Sequence, residues 1–333
     1  MRVAINGFGR IGRSVFRIIN NREDIDVVAI NDLYDNEVLA YLLKYDTVMM
    51  GFGQDIRLED DYLITPNEKV RMLSIKDPNQ LPWAELKIDV VIEATGIFRT
   101  REKLMPHINA GAKRVILTVP AKDEIDYTIV IGVNDGGLKP EHRIISNASC
   151  TTNCLAPMAK VMHEAFGIVE GIMTTTHAYT NDQRLADVPH ADWRRGRAAA
   201  ENIIPTTTGA AKAVGKVIPE LKGRLDGMAC RVPVPDGSIV DFVFEVERDV
   251  TVEEVNAAVL AASKTKEMKN VLLYGEEKYV SSDIVGNLYS SIYDSEYTRV
   301  LGKRIVKTLN WYDNEWGYSN RVVDLIGLLM KFE

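Results

Sequence analysis

The sequence has few cysteines, no excess of positive charge and no long apolar run, and each absence excludes a class of protein. Its three cysteines, Cys150, Cys154 and Cys230, are too few and too unevenly spaced for a disulfide framework, so a reducing cytoplasm is the expected location. A formal net charge of -7 argues against nucleic acid as a partner, because phosphates are bound by basic surfaces. No apolar stretch reaches the ~20 residues of a membrane helix, and the N-terminal run lacks a signal-peptide layout. We therefore expect no membrane association.

Length and residue pattern predict two domains with different architectures. The 333 residues exceed the ~100–200 of one typical domain. In the first half, short β-branched runs alternate with helical patterns, which favours a doubly wound α/β domain with a parallel sheet. In the second half, longer strand-like runs cluster, which favours an α+β domain with a mostly antiparallel sheet. The strand-like runs are 2–6, 26–31, 89–94, 114–118, 127–131, 143–147, 168–176, 225–233, 238–248 and 304–311; the helical patterns are 10–21, 36–44, 101–110, 151–166, 209–218, 252–264 and 317–331.

A glycine-rich segment after the first strand has the spacing of a dinucleotide-binding turn. Gly7, Gly9 and Gly12 follow a strand-like run and precede a helical one, so they would allow a tight turn and close approach to a pyrophosphate. Asp32 ends the second strand at the spacing of a ribose-binding acid, although it could instead only cap the next helix. Thr95-Gly96 follows another strand at the same expected sheet edge. The pattern predicts an NAD-binding domain.

Cys150 lies where a strand meets a helix, which is typical of a reactive thiol. A helix N-terminus favours the thiolate, so we expect a lowered pKa for Cys150. The alternative is a buried, inert cysteine, and Cys154 fits that description better. No second Cys or His pair lies at ligand spacing, so no metal is expected. His177 ends a strand-like run and would act as the base for Cys150 if the two lie close together, which the sequence does not show.

Basic and hydroxyl residues cluster after His177 and predict an anion site. Thr208-Gly209 precedes a helical run and could offer a hydroxyl and helix N–H groups to a phosphate. Arg231 could bind a phosphate through two N–H groups. The alternative for the arginines is an ordinary solvated surface. The other members of this group are Thr180, Arg194, Arg195, Arg197, Thr206 and Thr207.

Five ordered segments make the chain resemble the glyceraldehyde-3-phosphate dehydrogenase family over essentially its whole length. They are residues 4–13, 148–154, 177–183, 202–212 and 311–318. The resemblance implies an oxidoreductase of glycolysis and gluconeogenesis that oxidises D-glyceraldehyde 3-phosphate with NAD and inorganic phosphate to 1,3-bisphosphoglycerate. Cys150 would form a thiohemiacetal and then a thioester, and His177 would be the base.

The resemblance also assigns residues to subsites. Thr180, Arg195 and Arg231 would hold the substrate phosphate, although Arg194 beside Arg195 leaves the choice of arginine open. The attacking phosphate would contact Ser149, Thr151, Thr208 and Gly209, with Arg231 near both anions. NAD would contact Asn6, Gly7, Gly9, Arg10, Ile11, Gly12, Asp32, Lys76, Thr95, Gly96, Thr118, Asn314 and Tyr318.

The implied fold is a Rossmann domain over residues 1–149 plus a C-terminal helix at 315–333, around a catalytic domain at 150–314. The family resemblance further implies a homotetramer, with residues 178–201 near a subunit interface. Two alternatives remain open at this point. One is the related erythrose-4-phosphate dehydrogenase, and the other is a non-catalytic NAD-binding interaction protein on the same fold.

Overall fold

A computed structural model describes residues 1–332, which form two compact units. The first unit comprises residues 1–129, 136–148 and the chain from Ser319; the second comprises 130–135 and 149–318. Glu333, the last residue of the predicted terminal helix, lies outside the described residues. Within residues 1–332, no helix combines the length and the apolar character needed to cross a membrane.

The first unit contains a nine-stranded sheet. Its strands are β1 (Arg2–Asn6), β2 (Asp26–Asn31), β3 (Arg57–Glu59), β4 (Tyr62–Ile64), β5 (Lys69–Leu73), β6 (Val90–Glu93), β7 (Arg114–Leu117), β8 (Tyr127–Thr128) and β9 (Ile144–Ser146), and its first helices are α1 (Arg10–Ile19), α2 (Asn36–Lys44) and α3 (Arg101–Asn109). The order is β3-β4-β5-β2-β1-β6-β7-β9-β8. Pairing is parallel from β5 to β8 and antiparallel only at the β3-β4-β5 edge. The predicted doubly wound parallel sheet is therefore confirmed.

Close packing at the turn after β1 explains two of its glycines. Gly7 has φ of 95°, a conformation that side chains with a Cβ disfavour. A Cβ on Gly7 would also lie 2.7 Å from the Thr95 backbone nitrogen, and one on Gly12 would collide with the Gly7 carbonyl oxygen. The sheet order reverses beside β1, with β2 on one side and β6 on the other. Ligands of open α/β sheets bind at such a switch point, outside the carboxyl ends of the strands.

The second unit contains an eight-stranded mixed sheet with helices. Its elements are α4 (Cys150–Phe166), β10 (Ile168–Ala178), β11 (Ile204–Thr207), α5 (Ala210–Val217), β12 (Leu225–Val232), β13 (Ser238–Val246), α6 (Val252–Ser263), β14 (Leu272–Gly275), α7 (Ser281–Ile284), β15 (Ser291–Asp294), β16 (Arg299–Leu301) and β17 (Ile305–Tyr312). The order is β11-β12-β10-β13-β17-β15-β14, with β16 on β17. Only β10-β12 and β14-β15 pair in parallel, so the predicted mostly antiparallel sheet is confirmed. The last helix, α8 (Trp316–Leu329), begins in the second unit and belongs to the first from Ser319.

Alternation along the strands explains how the second unit forms its core. Every second residue of β13 is buried, because successive side chains of a strand point to opposite faces. Phe242 and Phe244 are on the buried face and their rings stack at a centroid distance of 4.5 Å. α4 is buried over most of its length. The well-packed helix α4 and this sheet therefore carry Cys150 and His177.

Glu68 provides a pH-dependent contribution to stability in the first unit. Burial, and then the charge of Asp26, raise the pKa of Glu68 from 4.5 to about 7. The folded state therefore binds more protons than the unfolded chain between these values, so its stability falls as pH rises through them. We expect Glu68→Gln to raise the free energy of unfolding by ~1 kcal/mol at about pH 8, after allowance for solvent screening.

The measurement for Glu68→Gln is urea unfolding at about pH 5 and about pH 8. The gain should nearly vanish at the lower pH, where the native carboxyl is already protonated. Glu141→Gln, at an exposed position, is the matched control and should change stability little at either pH. An equal gain at both pH values would contradict the assignment.

Candidate active site

Cys150 is the first residue of α4, immediately after the helix N-cap. The Ser149 hydroxyl caps the helix by accepting a hydrogen bond from the Thr152 N–H at 3.0 Å. Cys150 is partly exposed and Cys154 is fully buried. The Cys154 sulfur contacts the Ser291 hydroxyl at 3.7 Å and the Asn310 carbonyl at 3.8 Å. One turn of helix thus separates a partly exposed cysteine from a fully buried one.

The structure brings Cys150 and His177 together. His177 is near the end of β10 and is buried, and its Nε2 lies 3.5 Å from the Cys150 sulfur. The other ring nitrogen, Nδ1, lies 2.7 Å from the Ala178 carbonyl oxygen and 2.8 Å from Arg231 Nη1. Nδ1 can either donate to the Ala178 carbonyl or accept from Arg231, which only donates, but it cannot do both. In the tautomer that donates to Ala178, the Nε2 lone pair faces the thiol.

Burial keeps both members of this pair neutral. Burial, and then the positive charge of Arg231, lower the pKa of His177 from 6.5 to about 3. Burial also raises the pKa of Cys150, although Arg231 and the Thr151 hydroxyl oppose that shift. The expectation that the helix N-terminus would lower the Cys150 pKa was therefore wrong, because desolvation of the sulfur outweighs the favourable charges. The resting pair is a thiol beside a neutral imidazole that can accept a proton.

Two arginines act electrostatically on His177, and one of them, Arg195, is itself paired with Asp182 at 2.5 Å and Asp192 at 3.5 Å. Arg231 on β12 pairs in register with His177 on β10 and with Ile204 on β11. Its guanidinium donates to the Ala178 carbonyl at 3.0 Å and lies 3.5 Å from the Thr180 hydroxyl. Arg195 is half-buried and donates to the Thr206 hydroxyl at 3.0 Å, and its charge also lowers the pKa of His177.

The remaining predicted anion ligands lie at different degrees of exposure. Thr208 and Gly209 precede α5, and Gly209 is the N-cap of that helix and makes no side-chain hydrogen bond. A Cβ built on Gly209 would have no neighbour within 4 Å, so the space beside the helix N-terminus is open. The Thr151 hydroxyl is buried and bonded to Tyr312 at 2.8 Å. Arg194 is exposed, whereas Arg195 contacts the strand beside Arg231. The geometry therefore favours Arg195 over Arg194 as the arginine of the site.

Tyr312 is a site residue that sequence reasoning missed. Its hydroxyl is 2.8 Å from the Thr151 hydroxyl and 2.9 Å from the Thr175 hydroxyl, and its ring meets the His177 ring edge-on at 5.8 Å. Burial raises the pKa of Tyr312 far above its ordinary value. Tyr312 is within the matched segment 311–318, but only the register of β17 reveals that it supports the imidazole.

The carboxyl edge of the first unit's sheet offers groups suited to a dinucleotide. Gly9 caps α1 without a side-chain bond, and a Cβ on Gly9 would meet open space. The first N–H groups of α1 are thus placed for an anion, with the helix dipole favouring negative charge. At the end of β2, the Asp32 carboxylate accepts from the Phe8 N–H at 2.7 Å and the Tyr34 N–H at 3.1 Å. These bonds fix it beside the turn.

The other predicted cofactor residues of the first unit follow neighbouring strands at that edge. Thr95 and Gly96 follow β6, Thr118 follows β7 and the exposed Lys76 follows β5. The Arg10 side chain pairs with Asp46 at 2.9 Å. Arg10 would therefore contact NAD through its backbone N–H, at the first position of α1. The Asn6 amide is buried and faces other side chains. These groups fit NAD mainly through backbone N–H groups, the threonines and Asp32.

In the second unit, Asn314 has a fixed amide. Its Oδ1 accepts from the Ser238 hydroxyl at 2.6 Å, and the same hydroxyl accepts from the Ala178 N–H at 3.0 Å. The backbone N–H of Asn314 donates to Asp236 at 3.3 Å, a carboxyl whose pKa is raised by burial and by Asp313. Tyr318 is buried. The Asn314 NH₂ group is thereby oriented away from Ser238.

Comparison with known proteins gives matches over both units. The family model described as "Glyceraldehyde 3-phosphate dehydrogenase, NAD binding domain" matches residues 1–101, and the one described as "Glyceraldehyde 3-phosphate dehydrogenase, C-terminal domain" matches residues 149–314. Three similar relatives carry the name glyceraldehyde-3-phosphate dehydrogenase. They are those of Borreliella burgdorferi (57% identical, covering 99% of this chain and 100% of the relative), Geobacillus stearothermophilus (56%, 98% and 97%) and Thermotoga maritima (58%, 99% and 99%). The chain therefore belongs to the glyceraldehyde-3-phosphate dehydrogenase family.

Proposed function

We propose that this protein is the phosphorylating, NAD-dependent glyceraldehyde-3-phosphate dehydrogenase of glycolysis and gluconeogenesis. The observation that carries the proposal is the 3.5 Å approach of the Cys150 sulfur to His177 Nε2, in a chain more than half identical to dehydrogenases of that name. A thiol, a neutral imidazole and adjacent guanidinium groups suit covalent oxidation of a phosphorylated aldehyde.

The first step forms a bond between the Cys150 sulfur and the aldehyde carbon. His177 Nε2 takes the thiol proton and returns it to the former carbonyl oxygen, which gives a thiohemiacetal. Nε2 then removes that hydroxyl proton as the thioester forms. When bound, NAD supplies the acceptor for the hydride that leaves the carbon. Covalent capture divides a coupled oxidation into two easier steps.

The second step releases the product from Cys150. An oxygen of inorganic phosphate attacks the thioester carbon, the carbon–sulfur bond breaks and the thiolate is reprotonated by His177. We assign Ser149, Thr151, Thr208 and Gly209 to the attacking phosphate, and Thr180, Arg195 and Arg231 to the phosphate of the aldehyde. The N-terminus of α5, where the N-cap Gly209 makes no side-chain hydrogen bond, and the guanidinium of Arg231 support these assignments.

Both anions should also increase the basicity of His177. The charges of Arg231 and Arg195 lower the pKa of His177, and a bound phosphate would offset those charges. The base therefore becomes stronger when substrate is present, which suits proton removal in the central complex.

For NAD, we assign Asp32 to the adenosine ribose and the α1 N-terminus to the pyrophosphate, with Asn314 and Tyr318 on the nicotinamide side. The fixed carboxylate of Asp32 and the oriented amide of Asn314 support this assignment. The same carboxylate would repel the extra phosphate of NADP. We further propose a cytoplasmic homotetramer, on the basis of three free cysteines and the resemblance of residues 178–201 to an interface loop.

The function is tested by following NADH formation with glyceraldehyde 3-phosphate, with and without inorganic phosphate. Sustained turnover should require phosphate, and omission should leave at most one equivalent of NADH per active site. A parallel assay with erythrose 4-phosphate tests the related dehydrogenase. Preference for that sugar, or turnover that ignores phosphate, would overturn the proposal.

Replacement of Arg231 tests the anion sites. We expect Arg231→Leu to raise KM for glyceraldehyde 3-phosphate and for inorganic phosphate about 10–100-fold, the range of a lost hydrogen bond to a charged group. The Kd for NAD should change little. Arg57→Leu is the control, since the Arg57 side chain is 62% exposed and pairs with the exposed Asp55 and Glu59, away from the anion sites. A change confined to NAD affinity would contradict the role of Arg231.

A further inference from the structure

A buried carboxylate joins two of the chain turns at the dinucleotide edge of the first unit. Glu93, the last residue of β6, is 0% exposed. Its Oε2 accepts from Asn6 Nδ2 at 2.6 Å and contacts His107 Nε2 at 3.1 Å. Its Oε1 accepts from the Thr95 N–H at 2.9 Å and also from the Thr95 hydroxyl. One side chain therefore links the last residue of β1 to the turn that follows β6.

In all four contacts, the Glu93 oxygen must be the acceptor, because each partner group donates a hydrogen. Trp83 Nε1 can only donate, and it lies 3.1 Å from His107 Nδ1. The His107 proton is then on Nε2 and points to Glu93. The Thr95 hydroxyl accepts from the Ile97 N–H at 3.1 Å, so its own hydrogen is available to Glu93. With four donors directed at it, the Glu93 side chain acts as an acceptor at both of its oxygens.

The same network continues across neighbouring strands. The Ile75 N–H donates to Asn31 Oδ1 at 2.8 Å, and Asn31 Nδ2 donates to Asn6 Oδ1 at 2.8 Å. On the other side, the Thr118 hydroxyl donates to the Glu93 backbone carbonyl at 3.0 Å. We call the set of Ile75, Asn31, Asn6, Glu93, Thr95 and Thr118 the Glu93 ladder. It links the segments at the carboxyl ends of β5, β2, β1, β6 and β7, which is the edge where open α/β sheets bind ligands.

The ladder reaches the glycine-rich turn directly. Asn6 precedes Gly7, and a Cβ on Gly7 would lie 2.7 Å from the Thr95 backbone nitrogen. A shift of Thr95 would therefore move the turn that must approach a pyrophosphate within hydrogen-bond distance. Because buried networks of this kind have few alternative arrangements, removal of their central acceptor disturbs every member.

We propose that Glu93 is a positioning residue for the dinucleotide: it sets the distance between the turns after β1 and β6 without touching the cofactor itself. The proposal rests on the NAD binding in the proposed function. Glu93→Gln keeps the size of the side chain but turns an NH₂ group toward donors, so at least two hydrogen bonds should be lost. The turns should then relax and bind NAD more weakly.

The experiment measures Kd for NAD by calorimetry on apoprotein, together with kcat and both KM values. For Glu93→Gln we expect Kd and KM for NAD to rise about tenfold, while kcat at saturating NAD stays within about threefold. KM for glyceraldehyde 3-phosphate should not change. Because the binding measurement needs no turnover, a protein that binds NAD but lacks activity would contradict the proposed function and leave this test intact.

His107→Leu is the matched control for a merely structural role. It removes the bonds to Trp83 and Glu93 from the side of α3 but leaves the Asn6 and Thr95 contacts of Glu93. It should lower the thermal midpoint as much as Glu93→Gln and leave Kd for NAD within about twofold. If E93Q does not fold, Asn31→Ala, which breaks the ladder at its other end, should raise that Kd about threefold. The proposal would be overturned if Glu93→Gln or Asn31→Ala bound NAD with the wild-type Kd. It would also be overturned if His107→Leu raised the Kd for NAD as much as Glu93→Gln does.

Discussion

Cys150→Ala should abolish phosphate-dependent NADH formation, with a loss of ~10⁴–10⁶-fold. Both proposed steps form or break a bond to the Cys150 sulfur, so no step of the covalent route survives its removal. Cys150 begins α4 and keeps part of its surface accessible, and its sulfur faces the imidazole of His177. The measurement is steady-state turnover at saturating aldehyde, NAD and phosphate, with NAD binding followed separately to establish that the variant is folded.

Cys154→Ala is the control for this experiment, because it removes a second thiol from the same helix. Cys154 is 0% exposed, and burial raises its pKa far above its ordinary value. We expect most of the turnover to remain and unfolding to become easier by ~1 kcal/mol from the small cavity. Iodoacetate should modify Cys150 and spare Cys154. Turnover in the Cys150 variant, or inactivation by loss of Cys154 alone, would contradict the mechanism.

Periodicity predicted the parallel sheet because its strands are buried on both faces and its helices follow regular turns. β1 and β2 match the predicted runs at both ends, and α2 does so as well. The short strands β3, β4 and β5 were missed. They form the antiparallel edge of the sheet, where partly exposed, charged sequences such as Arg57–Glu59 carry no apolar run. In the second unit the short strands β11, β14, β15 and β16 were missed as well. β11, Ile204–Thr207, is four residues long and contains proline.

The candidate site could be assembled from the sequence only as a set of motifs. Cys150 and His177 are separated by α4 and most of β10, and their proximity depends on how the helix packs on the sheet. The position of Arg231 beside His177 likewise depends on the register between β10 and β12, which the sequence pattern does not predict. The pKa of Cys150 was predicted in the wrong direction because local helix position was counted and desolvation, a tertiary property, was not.

Burial also explains why the Glu93 ladder was not predicted. Glu93 ends an apolar strand, and a lone glutamate there reads as the point where the strand reaches solvent. Only the fold shows that Trp83, from a loop, and His107, from α3, close over it. Buried carboxylates need several donors to be stable, and those donors come from positions far apart in the chain.

His177→Asn should lower the rate of the first NADH burst by ~10²–10⁴-fold, the usual contribution of a positioned base. The imidazole is neutral because burial lowers its pKa to about 3, so its Nε2 lone pair is available at physiological pH. Asparagine retains a polar group of similar size but cannot accept the hydroxyl proton. Single-turnover NADH formation isolates this step from phosphate attack, and the Kd for NAD should be unchanged because His177 is assigned no cofactor contact.

Added imidazole distinguishes a base from a structural histidine. In His177→Asn the burst rate should increase with imidazole concentration, because a free base can enter the space left by the ring and take the proton. His163→Asn is the control: His163 accepts from the Ile168 N–H at 3.0 Å at the end of α4, and its replacement should neither slow the burst nor respond to imidazole. A burst at the wild-type rate in His177→Asn would reduce His177 to a packing residue. A slow burst that imidazole does not accelerate would assign the ring a positioning role toward Arg231 and the Ala178 carbonyl. That role requires the fixed side chain, and a base in solution could not replace it.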